Sequence, residues 1–175
     1  RRELLNLFGT FFLTGYRLKF DIIKVGFLII VKKNHKIEKL NFFRTKMSKM
    51  TTEEAFVKVL QMHGIQHAFG IIGSAFMPIS DIFPKAGITF WDVAHETNGG
   101  LIADGYTRST GKMSMVIAQN GPGITGLVTP IKTAYWNHTP LLLVTPQAAN
   151  KTIGQGGFQE VEQMNLFKDM VCYQE

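Results

Sequence analysis

Apolar and polar positions beyond residue 50 alternate between two rhythms. Ala55, Phe56, Val59 and Leu60 fall at helical spacing. Ahead of them, Thr51-Thr52-Glu53-Glu54 has the spacing of a capping box, in which Thr51 accepts from the Glu54 amide and the Glu54 carboxylate reaches back. Gly64 is the expected helix stop. Ile65 to Ile71 reads as a short strand and Gly73-Ser74 as a turn, with Pro78 near the start of a second helix running to about Phe83.

The same alternation continues. Ile88 to Ala94, rich in β-branched and aromatic residues, predicts a second strand, and Glu96 to Thr110 a helix stopped by Gly111. Met113 to Ala118 is an apolar run of buried-strand length. Gly121-Pro122-Gly123 breaks it, and Ile124 to Trp136 resumes helical spacing in spite of Pro130. Leu141 to Thr145 is a fourth apolar strand, and the stretch Gly154 to Gly157 leads into a helix over Glu160–Lys168. Strands without a polar face, alternating with helices, predict an α/β fold: a parallel sheet with helices on both faces. Ligands of such sheets gather at the carboxyl ends of the strands, where the loops Ala94-His95-Glu96 and Asn120-Gly121-Pro122-Gly123 stand out.

Charge divides the chain. Residues 1–46 hold eleven Lys or Arg and three Asp or Glu, and residues 47–175 hold eight and ten, so the net charges are +8 and −2. The overall +6 therefore comes from a segment with no Ala and no Pro, and it gives the α/β part no basic surface for nucleic acid. The boundary falls near Met47. The longest uncharged run of the segment, Leu4 to Tyr16, has 13 residues, short of the ~20 that cross a bilayer. The run Val25–Val31 is shorter still, and no small-residue cleavage site follows Leu13. A transit peptide, usually richer in Ser, and a basic arm share this composition. We expect residues 1–46 to be upstream sequence outside the native protein, with Met47 or Met50 as its start. A single Cys excludes a disulfide framework and a multi-cysteine zinc site, and fits a reducing, cytoplasmic setting. Cys172 itself is expected to be a small buried hydrophobe.

Gly121-Pro122-Gly123-Ile124-Thr125-Gly126 matches G-x-G-x-x-G between a strand and a helix. A nicotinamide or flavin site would also need an acid at the end of the next strand for the ribose. Leu141–Thr145 runs instead into Pro146-Gln147, and the next acid is Glu160. The motif also follows the third strand rather than the first, so it argues only weakly for a dinucleotide.

Taken together, His95-Glu96, Ala103-Asp104-Gly105-Tyr106, Thr110-Gly111-Lys112, Gly121-Pro122-Gly123 and Gly157-Phe158-Gln159-Glu160-Val161 resemble the amino-terminal, pyrimidine-binding domain of thiamine-diphosphate enzymes of the acetolactate synthase and pyruvate oxidase type. The resemblance covers essentially all of Met50 to Glu175. Within that group, Trp91 to Asn98, Tyr135 to Pro140 and Pro146 to Phe158 are similar to the sulfoacetaldehyde acetyltransferase family. Its members convert sulfoacetaldehyde and phosphate into acetyl phosphate and sulfite during degradation of taurine and related sulfonates.

The resemblance implies thiamine diphosphate as cofactor and a catalytic role for Glu96, whose carboxyl group would hydrogen-bond the aminopyrimidine ring nitrogen and favour its imino tautomer. By residue type alone, Glu96 is an acid at a helix N-terminus, stabilised by the dipole. Gly121, Pro122 and Gly123 would lie near the aminopyrimidine, because glycine lets backbone approach a flat ring. Gln159 would stand near the reacting end of the cofactor. The sequence departs from the wider family at Ile72-Gly73-Ser74, where Pro-Gly-Gly is usual, and at Gly126, where Asn is usual. Gly73 is assigned with these to the cofactor and Ser74 to the substrate, and both departures favour a specialised substrate over acetolactate synthesis.

Other candidates have simple alternatives. His95 orients either the substrate or its own loop. Asn137 and His138 meet a sulfonate or phosphate, or end a helix; Lys151 meets an anion, or water. His63 and His67 are separated by the helix stop at Gly64, and no metal-ligand spacing occurs. In the family, Mg²⁺ and the diphosphate are held by a Gly-Asp-Gly motif in a separate carboxyl-terminal domain, and no Gly-Asp-Gly occurs here. The chain is therefore expected to be a fragment of a homo-oligomeric enzyme with its active site between subunits, inactive alone, taking a small-molecule substrate and neither nucleic acid nor membrane. Acetolactate synthase and a pyruvate oxidase or decarboxylase are the alternatives within the class, and a non-catalytic assembly or regulatory module is the alternative outside it.

Overall fold

A computed structural model describes the backbone of Gly26–Ile30 and residues 50–174. In chain order it contains β1 (Gly26–Ile30), α1 (Thr52–Met62), β2 (His67–Gly70), α2 (Met77–Ser80), α3 (Phe83–Ala86), β3 (Thr89–Asp92) and α4 (Glu96–Thr110). There follow β4 (Ser114–Ile117), α5 (Pro122–Thr125), α6 (Val128–Trp136), β5 (Leu141–Thr145), a 3₁₀ turn (Asn150–Thr152), α7 (Gln163–Phe167) and β6 (Tyr173–Gln174). The expected capping box is present: Thr51 Oγ1 accepts from the Glu54 amide at 3.2 Å, and the Glu54 carboxylate accepts from the Thr51 amide at 2.8 Å. Thr51→Ala should lower stability by about 1 kcal/mol, read as a small drop in the urea midpoint with an unchanged slope.

The sheet runs β3-β2-β4-β5-β1-β6. The four strands foreseen from the apolar runs are mutually parallel, with Gly70 opposite Asp92 and Ile117, and Ile117 opposite Val144. Period-two alternation divides their side chains between two cores. Phe69, Val116, Leu141 and Leu143 pack with Ala103 of α4, Ile131 of α6 and Phe167 of α7. Ala68, Met115, Ile117 and Leu142 face the other way, onto Val57 and Leu60 of α1, Ile79 of α2 and Phe83 of α3. Helices thus cover both faces.

The helix expected from Pro78 is divided into α2 and α3, and that expected over Glu160–Lys168 is the shorter α7; three other details differ from the expectation. The sheet is mixed rather than wholly parallel, because β1 and β6 add antiparallel pairs beside β5. β1 falls inside the basic segment, whose other residues lie outside the described ones. Ile124 to Trp136 is not one helix. Pro130 has no N–H to return to the Gly126 carbonyl, and the chain breaks into α5 and α6 around that residue. Cys172 is exposed rather than buried, since it leads into the edge strand β6.

Candidate functional site

The N-terminus of α4 sits on the carboxyl edge of the sheet, held by contacts from three directions. His95 is its N-cap, and its Nδ1 accepts from the Thr97 amide at 3.2 Å. The Thr97 hydroxyl donates to the Gly126 carbonyl at 2.6 Å, the oxygen that Pro130 leaves without a helical partner. Gly99 lies so close to β2 that a Cβ there would stand 3.1 Å from Gly70 Cα, and a Cβ on Gly100 would stand 2.5 Å from Pro130 Cγ. Small residues let the helix and strand meet backbone to backbone. Glu96, the first residue of α4, is thereby fixed half-buried at the strand ends, in the favourable field of the helix dipole.

The turn after β4 faces it. Gly121 has φ of 73°, a conformation that favours glycine, and Pro122 opens α5. A Cβ on the buried Gly123 would stand 3.1 Å from Glu96 Oε1 and 3.5 Å from the Ala118 Cβ, so only glycine lets the turn lie this close to the carboxylate without displacing it. Gln159 closes the other side of the turn: a Cβ on Gly121 would lie 2.5 Å from its carbonyl oxygen and 2.8 Å from its Cβ. Gln159 is itself left-handed, at φ of 55°. Glu96, Gly121, Pro122, Gly123 and Gln159 therefore meet at one point of the sheet edge.

Two amides join this cluster: Asn120, from the loop that the sequence marks, and Gln119, which no motif marks. Gln119 and Asn120 follow β4 after Ala118. Gln119 Nε2 donates to Asn120 Oδ1 at 2.6 Å, and Asn120 Nδ2 donates to the carbonyls of Phe158 at 3.2 Å and Gln159 at 3.0 Å. The Gln119 Oε1 is buried without a hydrogen-bond partner and fills the space a side chain on Gly73 would need. Gly73 thus meets the cluster through Gln119. The available signal was two adjacent amides placed between a buried strand and a glycine turn.

The remaining candidates separate by sheet edge. Ser74, His95 and Lys151 are exposed on loops at the carboxyl edge, with Glu96. Asn137 is the C-cap of α6 and His138 follows it at φ of 56°, at the opposite edge, where the chain returns to start β5. The topology therefore does not bring Asn137 or His138 to Glu96 within this chain; both end a helix there. An apolar groove of about 440 Å³ lies by the start of β2, lined by His67, Phe69, Trp91, Ile102, Gly105 and Tyr106, with none of the cluster in it. Among the described residues no three His, Cys, Asp or Glu side chains gather as a metal group, and no helix is long and apolar enough to cross a membrane.

Residues 50–166 match the profile of the thiamine pyrophosphate enzyme family, N-terminal TPP binding domain. The chain belongs to this family. It is 85% identical over 130 residues to a sulfoacetaldehyde acetyltransferase of Roseovarius nubinhibens, covering 74% of this chain and 22% of that protein. A probable sulfoacetaldehyde acetyltransferase of Rhizobium meliloti is 80% identical over 127 residues, covering 73% and 22%. Acetolactate synthases stand further off, at 38% identity over 120 residues, 66% of this chain and 21% of the relative, for that of Arthrospira platensis. Among solved structures, the thiamine diphosphate-dependent 4-hydroxybenzoylformate decarboxylase of Rhodococcus jostii RHA1 superposes with a TM-score of 0.65 at 26% identity, over 70% of this chain and 23% of that one. The thiamine pyrophosphate domain described here thus spans about a fifth of the length of the curated relatives it matches.

Proposed function

We propose that this chain is the pyrimidine-binding part of a thiamine-diphosphate-dependent sulfoacetaldehyde acetyltransferase. The observation that carries the site is the Glu96 carboxylate lying against the side-chain-free Gly123, with Oε1 3.1 Å from where a Cβ would stand. The Gly121-Pro122-Gly123 turn beside that carboxylate suits the aminopyrimidine half of the cofactor, because a flat ring needs backbone without side chains on one side and a carboxyl group at its edge. When bound, thiamine diphosphate supplies the carbanion chemistry of acyl transfer. Glu96 would hold a proton against the ring nitrogen, the turn would orient the ring, and Gln159 would stand near the reacting end of the cofactor. Mg²⁺ and the diphosphate would be held by a second domain.

The substrate assignment rests on the relatives. Identity of 85% to a sulfoacetaldehyde acetyltransferase against 38% to an acetolactate synthase favours the sulfonated aldehyde over pyruvate. Exposed Leu101 and Ile102 on α4, with Tyr135 and Trp136 on α6, support an oligomer in which other subunits or domains cover these helices. The test is turnover by this domain joined to a diphosphate-binding domain in one polypeptide. Sulfite release from sulfoacetaldehyde and phosphate is the expected result. Consumption of pyruvate without sulfite release would overturn the substrate, and robust acetyl phosphate formation by the 175 residues alone would overturn the need for a second domain.

A further inference from the structure

Loops from three strands meet through Gln119 and Asn120. Gly73 follows β2, the two amides follow β4, and Phe158-Gln159 lies in the loop after β5. Asn120 is 4% exposed, so the amide that makes the two bonds to the Phe158 and Gln159 carbonyls is itself buried. Those bonds bracket a residue whose backbone is strained, since a left-handed Gln persists only where its surroundings hold it. On the far side of Gln159, Glu160 accepts from the amides of Gly154 and Gly157, and gives the loop an internal shape of its own. Asn120 is what attaches that shaped loop to the Gly121 turn. Asn120 is oriented in turn by Gln119, whose amide oxygen rests where a Gly73 side chain would be.

We propose that Gln119 and Asn120 form an amide bridge that positions Gln159, so that the placement of Gln159 depends on the absence of a side chain at Gly73. Both are positioning residues. A methyl at residue 73 displaces Gln119, Asn120 loses its orienting donor, and the Gln159 loop comes away from the turn. The consequence for catalysis rests on the function proposed above, whereas the bridge itself exists without cofactor.

Amide hydrogen exchange on the 175-residue chain, with no thiamine diphosphate present, reads the bridge directly. Asn120→Asp keeps the shape of the side chain and removes both donors. It should speed exchange at Gly154, Gly157 and Glu160 at least about tenfold, with β4 and β5 amides unchanged. Gly73→Ala should produce the same local pattern. Gln119→Ala removes the same orienting donor and should give the same pattern, and adding Gly73→Ala to it should change exchange no further, a non-additivity that general weakening of the fold does not give. Parent rates in Asn120→Asp would overturn the bridge, and so would acceleration spread evenly through β4 and β5. Acceleration by Gly73→Ala that adds in full to that of Gln119→Ala would overturn the link to Gly73. Should Gly73→Ala not fold, Asn120→Asp and Asn120→Ala carry the test. Because no cofactor is used, these outcomes are independent of whether Glu96 serves thiamine diphosphate.

Discussion

Glu96→Gln, made in a polypeptide that joins this domain to a diphosphate-binding one, should reduce kcat by about 10²- to 10⁴-fold, the usual contribution of a placed acid or base. Gln has the same shape and still fits between His95 and the Gly121 turn, but it cannot exchange a proton with a ring nitrogen. The stability cost should stay within the ~0.3–1 kcal/mol that an acid gains at a helix N-terminus. A thermal melt close to that of the parent, together with lost turnover, is therefore the expected pair of results. Near-parent turnover in Glu96→Gln would remove Glu96 from the chemistry. Gly123→Ala offers an independent route to the same carboxylate. Its methyl would stand 3.1 Å from Glu96 Oε1, so the acid must shift by a few tenths of an ångström, and activity should fall although Glu96 is intact.

Much of the architecture was legible because it rests on local signals. The capping box at Thr51 needs only residues three apart, and it forms as the spacing implied. Val116, Leu141 and Leu143 belong to continuous apolar runs, the expected signature of strands buried on both faces. Features set by distant partners were not legible. The break at Gly126 depends on the Thr97 hydroxyl 29 residues earlier as well as on Pro130. β6 is too short to carry a periodicity, and its pairing depends on β1 from the other end of the chain. The single helix expected from Pro78 to about Phe83 is instead two short ones, α2 and α3, each with its own proline in the first turn, Pro78 and Pro84.

The site was legible in a different way. Glu96, Gly121, Gly123 and Gln159 were marked by motifs, and the parallel topology brings those motifs to one edge. Asn137 and His138 looked equally polar, but a helix that leaves the carboxyl edge ends at the amino edge. Residue type cannot reveal which end of a helix faces a ligand; connectivity does. The pairings of Gln119 and Asn120 were not legible, because the partners of Asn120 lie 38 and 39 residues away and Gln119 reaches across to the Gly73 loop. No local pattern encodes such a pairing.

Gly70→Ala should be among the most damaging single substitutions in the chain, while Gly99→Ala, at its contact partner, should spare the fold and disturb the site. Gly70 ends β2 at φ of 143°, and a Cβ there would overlap the carbonyl oxygen of Ile117, its neighbour in β4. Neither backbone can retreat, because Ile117 O accepts from the Ile71 amide and Gly70 O from the Val93 amide. Strain and overpacking together should cost about 3–5 kcal/mol, enough to leave a marginal domain largely unfolded or insoluble at 37 °C. Gly99 presents the milder version of the same contact. Its Cβ would stand 3.1 Å from Gly70 Cα and 3.2 Å from Val93 Cγ2, so α4 must move away from β2 by a fraction of an ångström. Alanine returns up to about 1 kcal/mol of helix propensity at that position, offsetting the crowding. The melt should therefore change little. Glu96 begins the same helix one turn earlier and shares its displacement, so activity in the joined polypeptide should fall, and a melt and a turnover assay on the two variants separate the outcomes. Equal loss of stability in both would mean that the glycine contact serves only packing; loss of turnover in Gly99→Ala with the fold intact would mean that it sets where the acid stands.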